Sequence, residues 1–264
     1  MGEHRAARTD TAIDDPIVLA EACANLPRPW LIGVDVDGTL APIVARPELS
    51  ALAPGALDAL QAMIDRPGVS IAVVSGRPLA DLRHRFGLPS SALLLGSHGA
   101  EVGTEVDHRT DDEQSLLDRT ETTLAAACAR LPGAWIEHKP LAVALHVRQV
   151  DDVAGEQALS DLAAVYGDEP GVTIHRGHKV IELAIRPTSK RSAFATLRAR
   201  LVPATTFFFG DDSSDERVFD SLGVLDVSVK VGHGQTVARQ RLADPAAVVE
   251  LLGALAASLN TGVQ

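Results

Sequence analysis

The stretch LIGVDVDGTLAPI (residues 31–43) begins as a buried strand and ends in two negative charges. Its apolar residues run up to Val34, and Asp35 and Asp37 follow where that run stops. Side chains alternate between the two faces of a strand, so Asp35 and Asp37 point to the same side. Two carboxylates this close repel each other unless a positive group lies beside them. The stretch therefore predicts a buried strand with a metal-binding, chemically active site at its end.

Strands and helices alternate on both sides of this stretch. Three further apolar runs resemble strands that are buried on both faces, as in parallel sheets. They are VSIAVVS (69–75), SALLLGS (91–97) and TTFFFG (205–210). Helical patterns separate them, and the βαβ order predicts an α/β fold with a doubly wound, Rossmann-like parallel sheet.

The pattern changes between residues 103 and 186, where the order becomes α-β-β-α-β-β. The strand AVALHVR (142–148) alternates cleanly, with Val143 and Leu145 on one face and His146 on the other. This alternation predicts an antiparallel sheet with one face packed on helices and one face open. The expected domains are a flexible tail, a core in two pieces and an inserted α/β domain, at 1–15, at 16–102 with 187–264, and at 103–186.

Composition excludes several classes of protein. The chain has 264 residues, a net charge of −11 and 46% hydrophobic residues, which is ordinary for a globular protein. A nucleic-acid-binding surface normally carries the opposite charge. No apolar run approaches the length of a membrane span, and the polar N-terminus does not resemble a secretion signal. We therefore expect a cytoplasmic protein without nucleic-acid or membrane partners.

Polar residues follow three of the predicted core strands, namely Asp35 with Asp37, Ser75, and Asp211 with Asp212. Ligands of open α/β sheets bind outside the carboxyl ends of the strands, so the fold gathers these residues. Asp35 is ionised at neutral pH and is a nucleophile that needs no base, suited to a phosphorus centre.

The repulsion between a carboxylate and a phosphate must be cancelled by positive charge. Mg²⁺ held by Asp35 and Asp211 would cancel it, together with Lys190 at the start of the next helix. Ser75 and its neighbouring backbone N–H groups are candidates to bind phosphate oxygens, and Asp37 is the candidate general acid and base.

These residues resemble, in order, the four motifs of the haloacid dehalogenase superfamily of phosphatases. The matching segments are DVDGTL (35–40), VVSGR (73–77), Lys190 and GDDSSDE (210–216). Further segments are similar to the trehalose-6-phosphate phosphatase family, over about residues 29 to 255. They are GSHGAE (96–101), EHKPLAVALHVR (137–148), GHKVIELAIRP (177–187) and VGHGQTVARQRLADPAAV (231–248).

The resemblance implies a Mg²⁺-dependent hydrolysis of trehalose 6-phosphate to trehalose and phosphate, the last step of trehalose biosynthesis. It implies that Asp35 is the nucleophile and that Asp37 is the acid and base, with a backbone carbonyl that also binds the metal. Ser75 and Lys190 would hold the phosphoryl group and Asp211 the metal. Asp212 and Asp215 would support the metal from behind its direct ligands.

The inserted domain would be the cap that closes over the sugar. The implied substrate-binding residues are Gly76, Arg77, His98, Glu101, Glu137, Lys139, Arg148, Lys179 and Glu182. A functional pairing with trehalose-6-phosphate synthase is a further expectation. Two departures from the family pattern, Val36 and Ser214, leave the chemistry in place.

Alternatives remain open at this stage. A sucrose-phosphate or other sugar-phosphate specificity is the nearest rival, because it depends on the cap residues and not on the core. A glycosyltransferase that holds a metal–nucleotide through its DxD motif is disfavoured by the Asp-Gly-Thr-Leu continuation, Lys190 and the second acid cluster. A regulatory domain without catalysis is disfavoured because the chain retains every expected group. Arg148 and Glu182 could also be the solvated face of a sheet, paired with each other.

Overall fold

A computed structural model describes residues 12–103, 109–186 and 189–259. These residues form two compact units, one made of residues up to 103 and from 190 onward, the other of the residues between. Of the predicted flexible tail, residues 1–11 lie outside the described part. Asp14 exchanges two hydrogen bonds of 2.8 Å with the backbone of Arg241.

Eleven strands and eight α-helices are described. The strands are β1 (Trp30–Val34), β2 (Val69–Val74), β3 (Leu93–Gly96), β4 (Glu101–Val102), β5 (Trp135–Lys139), β6 (Ala142–His146), β7 (Thr173–Gly177), β8 (Val180–Ala184), β9 (Thr205–Gly210), β10 (Val227–Val231) and β11 (Gln240–Leu242). The helices are α1 (Pro16–Ala24), α2 (Ala56–Ile64), α3 (Leu79–His84), α4 (Asp111–Cys128), α5 (Asp152–Tyr166), α6 (Lys190–Leu201), α7 (Ser213–Phe219) and α8 (Pro245–Ser258).

The first unit is built on a seven-stranded sheet in the order β11-β10-β9-β1-β2-β3-β4. All pairs in it are parallel except β3 with β4. Val34 lies opposite Val73 on one side and Phe209 on the other, so β1, β2 and β9 end at the same level. The predicted doubly wound, mostly parallel sheet is confirmed, and its register aligns the three strand ends that carry polar residues.

The core of this unit lies on both faces of the sheet. Phe207 and Phe209 of β9 pack into one buried cluster, and Phe208 packs into the other. The alternation arises because successive side chains of a strand point to opposite faces. Apolar residues are therefore needed at every position of the central strands, which explains their unbroken apolar runs.

The second unit is a four-stranded antiparallel sheet in the order β5-β6-β8-β7 with helices α4 and α5. Its elements follow the predicted α-β-β-α-β-β order. The sheet face expected to be open differs from the expectation, since His146 and Glu182 on it are only 4% and 5% exposed. Polar side chains of this face pair with each other across the strands.

No helix in the described part of the chain is long and apolar enough to cross a membrane.

Candidate active site

Asp35 lies directly after β1 and is held from both sides of the strand end. Its backbone N–H donates to the carbonyl of Phe209 at 3.0 Å, which extends the pairing of β1 with β9. Its carboxylate Oδ1 lies 2.8 Å from Lys190 Nζ, and the two residues are 4% and 2% exposed. A buried carboxylate is strongly destabilising unless it is paired, so this contact offsets part of the cost of placing an acid at the end of an apolar strand.

Three carboxylates converge at this point. Asp35, Asp211 and Asp215 each place one oxygen within 4.8 Å of the other two. Gly38 has a φ of +84°, and a Cβ there would fall 2.1 Å from Asp211 Oδ2, so only glycine leaves room for this group. Clustered hard oxygen ligands suit Mg²⁺, and the donor set therefore fits the metal that the resemblance implies.

Asp215 is the most constrained of the three. Its Oδ2 accepts the backbone N–H groups of Asp211 and Asp212 at 3.0 and 3.2 Å, and its Oδ1 accepts from Lys190 at 2.9 Å. Both oxygens are thus engaged by the protein. This arrangement favours support of a metal from behind its direct ligands, the role predicted for Asp215. Asp212 caps α7 and accepts from the backbone N–H of Ser214 at 2.8 Å.

Crowding of these carboxylates changes their protonation. Burial, together with the charge of Asp211 and despite Lys190, raises the pKa of Asp35 to about 7. Burial and the charges of Asp215 and Asp212 raise the pKa of Asp211 to about 7 as well. Although burial opposes ionisation of Asp212, the charge of Lys190 and the bond from Ser214 lower the pKa of Asp212. Without a divalent cation, the site therefore retains protons near neutral pH, which differs from the expectation that Asp35 is ionised there, because that expectation took no account of burial.

Asp37 points into a different set of partners. Arg77 binds its carboxylate through both oxygens, with Nε 2.6 Å from Oδ2 and Nη2 2.8 Å from Oδ1. Ser50 Oγ donates to Oδ1 at 3.1 Å. The Asp37 side chain remains 35% exposed. The carboxylate is therefore fixed in direction yet accessible, as a general acid and base must be. Metal binding by the backbone carbonyl of Asp37 stays a prediction.

The loop after β2 carries the predicted phosphate-binding residues. Ser75 is buried, and its Oγ accepts the backbone N–H of Arg77 at 3.2 Å. The carbonyl of Ser75 accepts from His98 N, and the carbonyl of Arg77 accepts from Ser97 N, at 2.9 and 2.8 Å. The His98 ring packs on Gly76 so closely that a Cβ there would lie 2.6 Å from Nε2.

Glu101 closes the same region from β4. Its carboxylate accepts from Leu79 N at 2.7 Å and from Ser97 Oγ at 3.1 Å. The structure thus brings Ser75, Gly76, His98 and Glu101 together, with Glu101 bound to the start of α3. Contact of these residues with a substrate stays a prediction.

Three of the predicted sugar-binding residues share one face of the second unit's sheet. Lys139 Nζ forms an ion pair with Glu182, and Glu137 lies 2.9 Å from His146 Nε2. A carboxylate only accepts hydrogen bonds, so His146 carries its proton on Nε2. Although burial opposes it, the bond from His146 and the charge of Lys139 lower the pKa of Glu137. Glu137 therefore keeps its negative charge at neutral pH, and its binding of sugar hydroxyls stays a prediction.

Arg148 and Lys179 contact other groups of the second unit. Arg148 Nε donates to the carbonyl of His178 over a long 3.5 Å, and Lys179 Nζ forms an ion pair with Asp152 on α5. Glu182 forms its ion pair with Lys139, and a pairing of Arg148 with Glu182 stays a prediction. A direct role of Arg148 and Lys179 in binding the sugar stays a prediction.

Several residues of the two sites were missed by sequence reasoning. Lys230 on β10 is buried, and its Nζ donates to the carbonyl of Asp211. A lysine inside the apolar strand VSVKV was the available signal. Trp135 stacks on His146 with 3.8 Å between ring centroids. Trp135 is two residues before Glu137, so the strand period already placed the two side chains on one face of the sheet. Ser50 carried no local signal.

Known proteins resemble this chain over most of its length. A family model described as trehalose-phosphatase matches residues 33–246. The trehalose-phosphate phosphatase of Mycobacterium marinum is 33% identical over 258 residues, covering 90% of this chain and 64% of that protein. The trehalose-phosphate phosphatase of Mycobacterium tuberculosis is 36% identical over 245 residues, covering 86% and 61%. The chain thus spans less than two thirds of the length of these curated relatives.

A solved structure supports the fold independently. The C-terminal domain of Candida albicans trehalose-6-phosphate phosphatase superposes with a TM-score of 0.83 at 24% identity, over 94% of this chain and 99% of that one. The similarity of fold agrees with the family match, which extends over far more than half of the residues. The chain belongs to the trehalose-phosphatase family.

Proposed function

We propose that this chain is a Mg²⁺-dependent phosphomonoester hydrolase that converts trehalose 6-phosphate to trehalose and phosphate. The observation that carries the proposal is the buried Asp35 carboxylate, 2.8 Å from Lys190 and grouped with Asp211 and Asp215, in a chain of this family. Two neighbouring acidic residues, taken by themselves, occur in many kinds of site. A buried acid that is held by a fixed cation at the end of a parallel strand is suited to nucleophilic attack.

In the first step, an Asp35 oxygen attacks phosphorus and the bond from phosphorus to the sugar oxygen breaks, which leaves an aspartyl-phosphate. Mg²⁺, held by Asp35, Asp211 and the Asp37 carbonyl, would neutralise charge on the phosphoryl oxygens. Lys190 supplies a fixed positive charge beside the nucleophile, and Ser75 would hold a phosphoryl oxygen. The departing sugar oxygen takes a proton from Asp37, whose carboxylate Arg77 and Ser50 hold.

In the second step, a water molecule attacks the aspartyl-phosphate. Asp37, now deprotonated, takes the proton from that water, the bond between Asp35 and phosphorus breaks, and phosphate leaves. Asp35 and Asp37 return to their starting states, so the cycle balances. The separation of roles follows from environment, because Asp35 is buried against Lys190 while Asp37 stays partly exposed.

The second unit, residues 104–189, is proposed as the cap that recognises the disaccharide. Its polar sheet face offers the ion pair of Lys139 with Glu182 and the pair of Glu137 with His146. Neighbouring charged and uncharged hydrogen-bonding groups on a rigid sheet suit a ligand made of hydroxyl groups. A cytoplasmic location and a functional pairing with trehalose-6-phosphate synthase remain part of the proposal.

The experiment is phosphate release from trehalose 6-phosphate, sucrose 6-phosphate, glucose 6-phosphate and p-nitrophenyl phosphate, with and without Mg²⁺. We expect a strong preference for trehalose 6-phosphate that requires the metal. Asp35→Asn keeps the shape but removes the nucleophile, and we expect it to abolish turnover on every substrate.

Two outcomes would overturn parts of the proposal separately. Equal rates on all sugar phosphates, lost in Asp35→Asn, would refute the trehalose specificity and keep the chemistry. Turnover that survives in Asp35→Asn would refute the aspartyl-phosphate mechanism. An acid quench of the wild-type protein reacting with ³²P-labelled substrate should trap labelled protein. The Asp35→Asn variant should carry no label, which checks the same step directly.

A further inference from the structure

The Arg77 guanidinium is almost fully used by the protein itself. Besides the two bonds to Asp37, its Nη1 lies 2.7 Å from Asp81 Oδ2 and its Nη2 lies 3.1 Å from the carbonyl of Pro47. An arginine has five N–H groups in a fixed planar fork, and these contacts take four of them. Arg77 is 6% exposed, and its charge lies 5.0 Å from the centre of the Phe86 ring. Little of this side chain is left to bind a substrate.

Asp81 is itself anchored on its other side. Arg85 Nε lies 2.7 Å from Asp81 Oδ1, and Arg85 Nη1 donates to the carbonyl of Glu48 at 2.7 Å. Arg77, Asp81 and Arg85 therefore form a chain of alternating charges that ends on Asp37. Bidentate pairs of arginine with carboxylate fix direction as well as distance.

We propose that Arg77 is a positioning residue that aims the Asp37 carboxylate at the leaving and attacking oxygens, and does not bind the phosphoryl group. The proposal rests on the function proposed above, in which Asp37 is the general acid and base. A proton is transferred efficiently only along a short, aligned hydrogen bond, so a carboxylate that rotates freely serves poorly. Asp81 holds Arg77 in plane and is its second positioning residue.

The two roles of Arg77 predict different kinetics. In Arg77→Lys the charge remains but the fork is lost, and in Arg77→Met both are lost. Since general acid–base catalysis contributes roughly 10²–10⁴-fold, we expect kcat on trehalose 6-phosphate to fall about tenfold in Arg77→Lys and about a hundredfold in Arg77→Met. We expect KM and the inhibition constant of inorganic phosphate to change by less than about twofold, because no contact with phosphate is lost.

A good leaving group separates the two steps. Nitrophenolate leaves without a proton, so formation of the aspartyl-phosphate from p-nitrophenyl phosphate needs no acid. The second step still needs Asp37 as a base. Stopped-flow measurements on Arg77→Lys should show a burst of about one equivalent of nitrophenolate at the wild-type rate, followed by slow turnover. A lost phosphate contact would instead slow the burst itself.

Two further variants guard against loss of folding. Asp81→Asn leaves Arg77 in place and removes one of its anchors, so we expect a fall in kcat of a few fold with KM unchanged. Arg198→Lys is the matched control, because Arg198 pairs with the buried Asp226 at 2.6 Å elsewhere in the first unit. We expect both Arg198→Lys and Arg77→Lys to lower thermal stability. Only Arg77→Lys should lower kcat.

The proposal is overturned if Arg77→Lys raises KM and the inhibition constant of phosphate while kcat is kept, or if neither kcat nor the burst pattern changes. Its failure is distinguishable from failure of the proposed function. A wild-type protein that hydrolyses p-nitrophenyl phosphate but not trehalose 6-phosphate refutes the substrate, and the burst experiment then still decides the role of Arg77.

Discussion

Gly38 is the residue on which the geometry of the carboxylate group depends most directly. It has a φ of +84°, and a Cβ would fall 2.1 Å from Asp211 Oδ2. We expect Gly38→Ala to push the Asp211 carboxylate away and to weaken Mg²⁺ binding. A misplacement of about 1 Å can reduce a rate about a hundredfold, and we expect a loss of that size in kcat. Calorimetric titration with Mg²⁺ and phosphate release measure the two effects.

Gly232→Ala is the control for Gly38→Ala. Gly232 has a similar φ of +76°, and no atom lies within 4 Å of its would-be Cβ. Both variants carry the backbone penalty of a left-handed residue, roughly 1–2 kcal/mol, and only Gly38→Ala adds the collision. An equal loss of Mg²⁺ affinity in the two variants would contradict this interpretation.

Residue types at strand ends could be predicted from the sequence, but their pairings could not. Asp35 and Asp211 were visible because an apolar run that stops in an acid is a local pattern. Arg77 and Asp37 are forty positions apart, and only the folded positions of two loops bring them together. Lys190 was a candidate for the positive charge that the chemistry requires, but only the resemblance distinguished it, since one lysine at the start of a helix is ordinary on a protein surface.

At the scale of elements, the short helix α7 holds the acidic loop in place through its first turn. Asp212 caps the helix, and Asp215, three residues later, bonds back to the backbone of Asp212. We expect Asp212→Ala to lower the free energy of unfolding by about 1 kcal/mol, as for other lost caps. We also expect it to lower kcat, because the Asp215 carboxylate that holds Lys190 loses part of its support.

Asp212→Asn tests whether the cap is the cause of that loss. Asparagine keeps an oxygen that accepts from Ser214 N and Asp215 N, whereas both variants remove the same negative charge. Urea denaturation should therefore place Asp212→Asn near the wild type and Asp212→Ala below it. Equal stabilities of the two variants would show that charge matters at this position and capping does not.

The longer elements were predictable, and the shortest were not. Unbroken apolar runs identified β1, β2, β3 and β9, because a central parallel strand must be apolar on both faces. The two residues of β4 and the three of β11 are too short to show a period. The alternation of side chains predicted that the second unit's sheet has one polar face. It did not predict the ion pairs on that face, because these depend on the register of the strands, which the sequence does not display.

For the whole molecule, the crowded carboxylates link stability to pH and to Mg²⁺. Burial raises the pKa of Asp35 and of Asp211 to about 7, above the ordinary value of about 3.9 in an unfolded chain. The folded state then holds more protons than the unfolded state between these values. The free energy of unfolding should therefore fall as pH rises from about 4 to about 7, by a few kcal/mol, and stay low above that range.

Because Mg²⁺ competes with those protons for the same oxygens, it should stabilise the protein much more at pH 8 than at pH 5.5. Acids with a lowered pKa, such as Glu137 and Asp212, make the free energy of unfolding rise with pH and so oppose this effect. The pH dependence of the wild type must therefore be compared with that of Asp211→Asn. That variant removes one raised pKa and one metal ligand. Thermal unfolding from pH 5 to 8, with and without Mg²⁺, should show a flatter pH dependence and a smaller effect of Mg²⁺ in Asp211→Asn. If wild type and variant share one slope and one response to Mg²⁺, the carboxylate group is not what links folding to protons and metal.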